Sequence, residues 1–331
     1  MTSLVVGGAG VIGRRLCQRL AESSVGTIAT TRRLDHAPFH RGVRWRALDL
    51  ATFTGWDDLL DGVSTVYHLA WSTIPSSAGL DPARDILENV VGSVRLLEAA
   101  RRYPGIRIVF ASSGGAVYGA PEQLPVAEHH TAKPLSAYGI SKLMVEHYLE
   151  KFRRLHGVDG IALRIGNCYG AGQTELGGLG AVTLFTRAAL RGDPVKLFGN
   201  GSTVRDYVHV DDVVSALLAA GRMHNVPGPV NIASGTGHSL SELIAKVEAA
   251  VGRRIIIEPI AARPFDVPAS VLDIRRAGER LGWAPVIDLD LGIEMLVNEL
   301  RTEADVQCGS PFTSIATSPT ISTAPKAILA P

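Results

Sequence analysis

Cysteine is scarce in this chain: Cys17, Cys168 and Cys308 are widely spaced and no two form a C-x-x-C pair. That pattern supports neither a disulfide framework nor a zinc site, so the thiols read as buried and no metal is expected. An excess of either charge is also lacking, since 33 Lys and Arg stand against 32 Asp and Glu for a formal net charge of +1. Such a balance offers no electrostatic basis for a nucleic-acid or membrane-surface partner. No apolar stretch reaches the ~20 residues of a membrane span, and no basic-then-apolar leader opens the sequence. The expectation is a cytoplasmic protein that handles a small molecule.

Glycine, by contrast, is plentiful and patterned. Gly7, Gly10 and Gly13 stand at G-x-x-G-x-x-G spacing, after the apolar run Leu4-Val5-Val6 and before Val11, Ile12, Leu16 and Leu20, which recur at helical intervals. This reads as strand, tight turn and helix. The first glycine permits the turn, the second lets backbone approach a pyrophosphate, and the third lets helix pack on strand. The N–H groups at the helix start, around Val11 and Ile12, then face an anion.

Strand-like runs recur at 4–6, 27–30, 43–47, 65–69, 107–111 and 161–164, with helix-length segments between them. Alternation of this kind predicts an α/β fold: a Rossmann-type doubly wound parallel sheet with helices on both faces. Asp81-Pro82 signals a helix start, the stretch from about 136 to 155 reads as a second helix, and Ser239 to Glu242 forms a capping box. After about 165 the texture turns glycine-rich, which predicts a smaller, loop-rich α/β substrate lobe. The expected division is 1–166 plus about 204–232 for the dinucleotide unit and about 167–203 plus 233–302 for the lobe. A structureless tail is expected over 303–331, where Ser, Thr, Pro and Ala dominate.

Tyr138 and Lys142 lie four residues apart on a predicted helix, so phenol and ammonium share a face. A tyrosine acting as a base near neutral pH must lose roughly 3 units from its pKa of about 10, and a cation nearby in a desolvated cleft is expected to supply that. The strand over 107–111 ends in Ser112 and Ser113, and the carboxyl ends of parallel strands are where such sheets bind ligands. His68 and His209 read as structural histidines.

Taken with Val5 to Gly10, His68-Leu69-Ala70, Ser112 to Gly119, Tyr138 to Lys142, Arg164 to Gly170 and Val204 to Asp212, these motifs resemble the extended short-chain dehydrogenase/reductase family, and within it the NAD-dependent nucleotide-sugar epimerase/dehydratase group. The resemblance runs from Gly7 to about Leu296. It implies Tyr138 as catalytic base, Lys142 as its electrostatic partner and ribose ligand, and Ser113 as the hydroxyl on the sugar O4, with Ser112 as the alternative beside Gly114. It implies further that Asp49, Leu50, Leu69, Ala70, Trp71 and Asn89 touch the dinucleotide. Asn167, Arg205, Arg263 and Asp266 would grip a nucleoside diphosphate, and Phe198 would flank its base.

Dehydratases of this group carry an acid pair after the Ser or Thr, whereas here Gly114 and Gly115 follow. The implied activity is therefore a 4-epimerase acting on a nucleotide-diphosphate sugar, a UDP-hexose, in a homodimer. One departure concerns the cofactor. NAD-preferring relatives end the second strand with an acid, whereas this chain reads Thr31-Arg32-Arg33, so NAD is expected and NADP stays open. An NADPH-dependent 4-ketosugar reductase is the alternative reading, and a non-catalytic dinucleotide sensor the third.

Overall fold

Strand β1 (Thr2–Val6) sends Leu4 and Val6 to one side and Val5 to the other, and all three are fully buried. A strand buried on both faces belongs inside a sheet covered by helices on both sides. The computed structural model describes residues 2–38, 40–173, 180–262 and 267–308. The strands that follow are β2 (Gly26–Thr31), β3 (Val43–Ala47), β4 (Val63–His68), β5 (Arg107–Ser113), β6 (Asp159–Ile165), β7 (Asn167–Tyr169), β8 (Pro194–Phe198), β9 (Val204–His209), β10 (Val230–Ile232), β11 (Gly237–Ser239), β12 (Ile256–Ile260) and β13 (Ala269–Ser270).

Seven strands in the order β10-β6-β5-β4-β1-β2-β3 form one parallel sheet. Leu4 and Val6 join one core with Trp56, Leu96, Val145 and Phe152, from helices on that face. Val5 joins the other with Leu16, Val213 and Ala277. The order reverses at β1, from which the chain moves outward through β2 to β3 and then returns to β4. That switch point is where an open α/β sheet leaves a crevice beyond its strand ends.

A third core gathers Tyr169, Phe185, Leu197, Leu243, Ile293 and Leu296 away from the large sheet. It is built on the sheet β11-β9-β13, with β7 beside β9, and on the pair β12-β8. Strand β9 falls within the stretch 204–232 that the sequence reading gives to the dinucleotide unit, yet it pairs in this smaller sheet. The following helix Val210–Arg222 packs on the large one. Tyr207 belongs to the third core and Val208 to the second, so β9 is shared between lobes and its apolar pattern fits either.

The lobe is also more regular than glycine content suggests. Ala181–Arg191 is a helix, with Val182, Phe185, Ala188 and Ala189 buried at helical spacing. Helix Leu289–Cys308 runs past 303, where the sequence reading begins its tail, and Ile293, Leu296, Val297 and Leu300 anchor it. Residues 309–331 lie outside those described.

Local signals act as read elsewhere. Asp81 accepts from the Arg84 N–H at 3.0 Å, Ser136 caps helix Ala137–His156 by accepting from Gly139, and Ser239 with Glu242 closes a capping box. Asp206 of β9 is the lobe's joint. Its carboxylate is 2% exposed and accepts from the N–H of Ser234, Gly235 and Leu272 and from the Ser234 hydroxyl, while burial pushes its pKa up. Asp206→Ala strands three backbone donors, each costing about 1–3 kcal/mol if left unpaired. A loss of at least about 2 kcal/mol in urea unfolding is expected, with Asp206→Asn falling between the two.

Candidate active site

The seven parallel strands of the large sheet end at one edge, and two clefts lie along it. The first, about 430 Å³, is lined by Gly7, Gly10, Thr31, Arg32, Arg33, Asp49, Leu50, Leu69, Ala70, Trp71 and Asn89. Gly7 has φ +93°, a conformation that favours glycine, and a Cβ there would lie 2.6 Å from the Ala70 nitrogen. A Cβ on Gly13 would lie 2.3 Å from the Gly7 oxygen, so this glycine is needed for packing inside the protein. Gly10 differs, because a Cβ there meets only the Gly7 oxygen, at an ordinary 3.5 Å.

Gly10 precedes the helix Val11–Glu22, whose first-turn N–H groups have no partner within the helix. The Val11 and Ile12 side chains are half-buried, Ile12 against the core, so their part in this cleft falls to the backbone. Thr31 Oγ1 meets the backbone of Arg33, whose guanidinium pairs with Asp35 at 2.8 Å, both ends exposed. Arg32 is exposed at the cleft wall. Asp49 accepts from the Ala51 N–H at 3.0 Å.

Asn89 is fully buried on the π-helical turn Ile86–Val91. Its carbonyl accepts from the Ser72 N–H at 2.8 Å and its amide donates to Asp85 at 3.0 Å, so it fixes the loop that follows Trp71. Turns of this wide kind cluster at functional sites.

The second cleft, about 700 Å³, is lined by Ser113, Gly115, Tyr138, Gly166, Asn167 and Arg205, with Ser136 and Ser270 among others. The Trp71 and Tyr138 rings meet edge-on with centroids 6.0 Å apart, which joins the two clefts. Ser113 and Tyr138 both line this cleft, and the Ser113 hydroxyl favours the Tyr138 phenolate.

Ser112, the alternative hydroxyl, turns the other way. It is 4% exposed and donates to Glu146, whose carboxylate is also held by Arg164 at 2.7 Å. Successive strand residues point to opposite faces, so only one of the two serines can reach the cleft. Gly114 is buried too, since a Cβ there would strike Leu272 at 2.4 Å, and it does not line the cleft. At Gly115 a Cβ would lie 3.3 Å from the Asn167 amide oxygen.

Arg205 donates to the carbonyls of Val204 and Val267, which hold it at the cleft wall, while Asp211 pairs with Arg15. Phe198 closes β8 opposite Ile260 and is half-buried, apart from the described lining of this cleft. Arg263 and Asp266 lie outside the described residues.

The electrostatics depart from the sequence expectation. Lys142 is 4% exposed and donates to the Ala111 carbonyl at 2.7 Å, with its ammonium 3.7 Å from the Trp71 ring centroid. Burial pushes its pKa down to about 7, against upward pulls from Asp85 and Glu146. Burial pushes Tyr138 up to about 12, the Ser113 hydroxyl opposes this, and Asp85 adds to it. Lys142 therefore does not lower the phenol in the chain by itself. The same desolvation penalises both charged forms, and the ammonium is spent on a carbonyl and an indole.

Both histidines are structural. His68 meets the Ser93 hydroxyl at 2.7 Å and burial pushes it down to about 3, while His209 caps helix Val210–Arg222 and is also lowered by burial.

Residues 3–233 match the NAD dependent epimerase/dehydratase family. The chain belongs to that family. It is 35% identical over 316 residues to a UDP-glucose 4-epimerase of Mycolicibacterium smegmatis, covering 92% of this chain and 100% of the relative. A dTDP-4-dehydro-6-deoxyglucose reductase of Escherichia coli is 31% identical over 310 residues, covering 90% and 97%. The crystal structure of a UDP-glucose 4-epimerase from Thermotoga maritima with UDP-glucose superposes with a TM-score of 0.86 at 34% identity, covering 92% and 100%.

NAD is the family's cofactor and this chain's, and the first cleft fits a dinucleotide. The glycine turn lies against a helix N-terminus, and Gly10 leaves its Cβ position open. Sequence reading missed Arg14, Ser72 and Glu88 on this side and Ser136 and Ser270 on the other. They come from loops and helix starts with no motif of their own. Gly10→Ala is expected to cost about 1 kcal/mol or less in stability yet to remove bound NAD, whereas Gly13→Ala costs about 1–3 kcal/mol through overpacking. Urea unfolding and the dinucleotide content of purified protein distinguish the two.

Proposed function

We propose that Tyr138, Ser113 and Lys142 epimerise a UDP-linked hexose at C4. The carrying observation is that Ser113 and Tyr138 stand together on the wall of the larger cleft, beside the dinucleotide cleft, with the Ser113 hydroxyl favouring the phenolate. The chain is an NAD-dependent nucleotide-sugar 4-epimerase. NAD, when bound, provides an acceptor that takes the C4 hydride and later returns it.

Tyr138 as phenolate removes the O4 proton and gives it back after the 4-keto sugar has turned in the cleft. Ser113 holds O4 through its hydroxyl. Lys142, fixed by the Ala111 carbonyl, keeps positive charge beside the phenol and serves the ribose hydroxyls. Asn167 and Arg205 on the wall suit a diphosphate, where each charge-assisted hydrogen bond contributes roughly 1.5–3 kcal/mol. Arg263, Asp266 and Phe198 complete that grip in this reading. With Gly114 and Gly115 after Ser113, no side-chain acid follows there to eliminate water, which separates the chain from dehydratases.

A 4-ketosugar reductase using NADPH is the second reading, favoured by Arg32 at the cleft wall and by the similarity to the Escherichia coli reductase. Tightly held NAD released on denaturation supports the epimerase, and freely exchanging NADPH supports the reductase. Tyr138→Phe is expected to lower kcat for UDP-glucose and UDP-galactose interconversion by about 10²–10⁴-fold, with NAD content unchanged. Unaltered activity in that variant sinks the assignment. UDP-N-acetylglucosamine and UDP-glucuronate assayed alongside identify the preferred sugar.

We place the enzyme in the cytoplasm as a homodimer. Among the described residues no helix is long and apolar enough to cross a membrane. Leu87, Ile140 and Leu155 are 61%, 48% and 67% exposed on the helical stretches 82–100 and 137–156. Such apolar exposure supports a contact between copies. Light scattering is expected to give twice the chain mass, and Leu87→Glu to reduce it to one.

A further inference from the structure

Lys142 is a buried ammonium whose hydrogen bond runs to a neutral carbonyl, and among the described residues no carboxylate lies within ion-pair distance of it. The charged and titratable groups around it are few. On its own helix stand Tyr138 and Glu146, and Glu146 is already engaged by Arg164 of β6 and by Ser112. His68 of β4 is neutral above about pH 3. The remaining group is Asp85, which precedes the π-helical turn on a segment packed against helix Ala137–His156.

Asp85 is 0% exposed. Its Oδ1 accepts from two neutral donors, the Thr73 hydroxyl and the Asn89 amide, and its Oδ2 has no hydrogen-bond partner. Among the described residues no cation pairs with it. A buried carboxylate without a cation, on a segment packed against the helix that carries a buried ammonium without a carboxylate, is the arrangement of two charges that act on each other without direct contact.

We propose that Asp85 is the counter-ion of Lys142, acting as a positioning residue whose charge sets the pH range in which Tyr138 and Lys142 work. The direction is fixed by sign. A negative Asp85 favours the ammonium of Lys142 and disfavours the phenolate of Tyr138, as the upward pull on both groups records. Neutralising it lowers both midpoints. The limb of the rate profile set by phenolate formation and the limb set by loss of the ammonium proton therefore move to lower pH together. A merely structural role would lower the rate at every pH and leave the limbs in place.

The rate arm rests on the epimerase reading, and a second arm does not. The sequence holds six lysines, so protein labelled with ¹³C at the lysine ε-carbon gives few signals, and Lys142→Met identifies the Lys142 signal, whose midpoint is expected well below that of the other lysines. In Asp85→Asn, which keeps Oδ1 as an acceptor, that midpoint is expected to fall by about one unit or more, with both limbs of the rate profile following. Asp85→Glu should restore it. Asp85→Ser, smaller and also neutral, replaces Asp85→Asn if that variant does not fold. An unmoved Lys142 midpoint in the neutral variant overturns the proposal. Absence of sugar interconversion by the wild-type chain at every pH overturns the epimerase reading instead, and the lysine titration then decides for Asp85 alone.

Discussion

The site depends on how one helix is pinned to two strand ends. Helix Ala137–His156 reaches the large sheet through Lys142, which donates to the Ala111 carbonyl of β5, and through Glu146 one turn on, which holds Ser112 of β5 and Arg164 of β6. Ser112 and Arg164 are register partners in neighbouring strands, so the same carboxylate ties both strands to the helix. A buried ion pair of this kind is costly to break because the remaining charge stays desolvated, typically by about 3–5 kcal/mol. With Ser112 held inward, alternation turns Ser113 into the cleft beside Tyr138. The orientation of the hydroxyls at the cleft is therefore set from behind, by Glu146 and Arg164, which line neither cleft.

The same burial sets the chemistry. A half-buried phenol pushed up to about 12 and an ammonium pushed down to about 7 are poorly matched for base catalysis in the chain by itself. In oxidised NAD the nicotinamide ring carries positive charge, the sign of charge that favours a phenolate.

The framework of the fold was legible in the sequence because parallel strands buried on both faces leave continuous apolar runs and glycine turns leave fixed spacings. The runs at 4–6, 27–30, 43–47, 65–69, 107–111 and 161–164 all lie on or against strands of the large sheet. Where the reading departed, the cause is tertiary. Strand β9 carries Tyr207 to one core and Val208 to another, and no local pattern tells which sheet supplies its hydrogen bonds. Helix Ala181–Arg191 was obscured by the glycines before it, although its buried residues repeat at helical spacing. The choice between Ser112 and Ser113 depends on a partner thirty-four residues along the chain, Glu146.

The sequence by itself determined that a glycine turn opens a nucleotide-binding sheet, that Tyr138 and Lys142 share a helical face, and that glycines rather than acids follow Ser113. These are properties of spacing, and backbone geometry converts spacing into placement without help from the rest of the chain. Only the tertiary structure decided which serine faces the cleft, that Lys142 is engaged by a carbonyl and an indole, and that Asp85 lies buried without a cation near the phenol and the ammonium. Charge state and orientation depend on desolvation and on partners from distant segments, and these exist only once the helices have closed over the sheet.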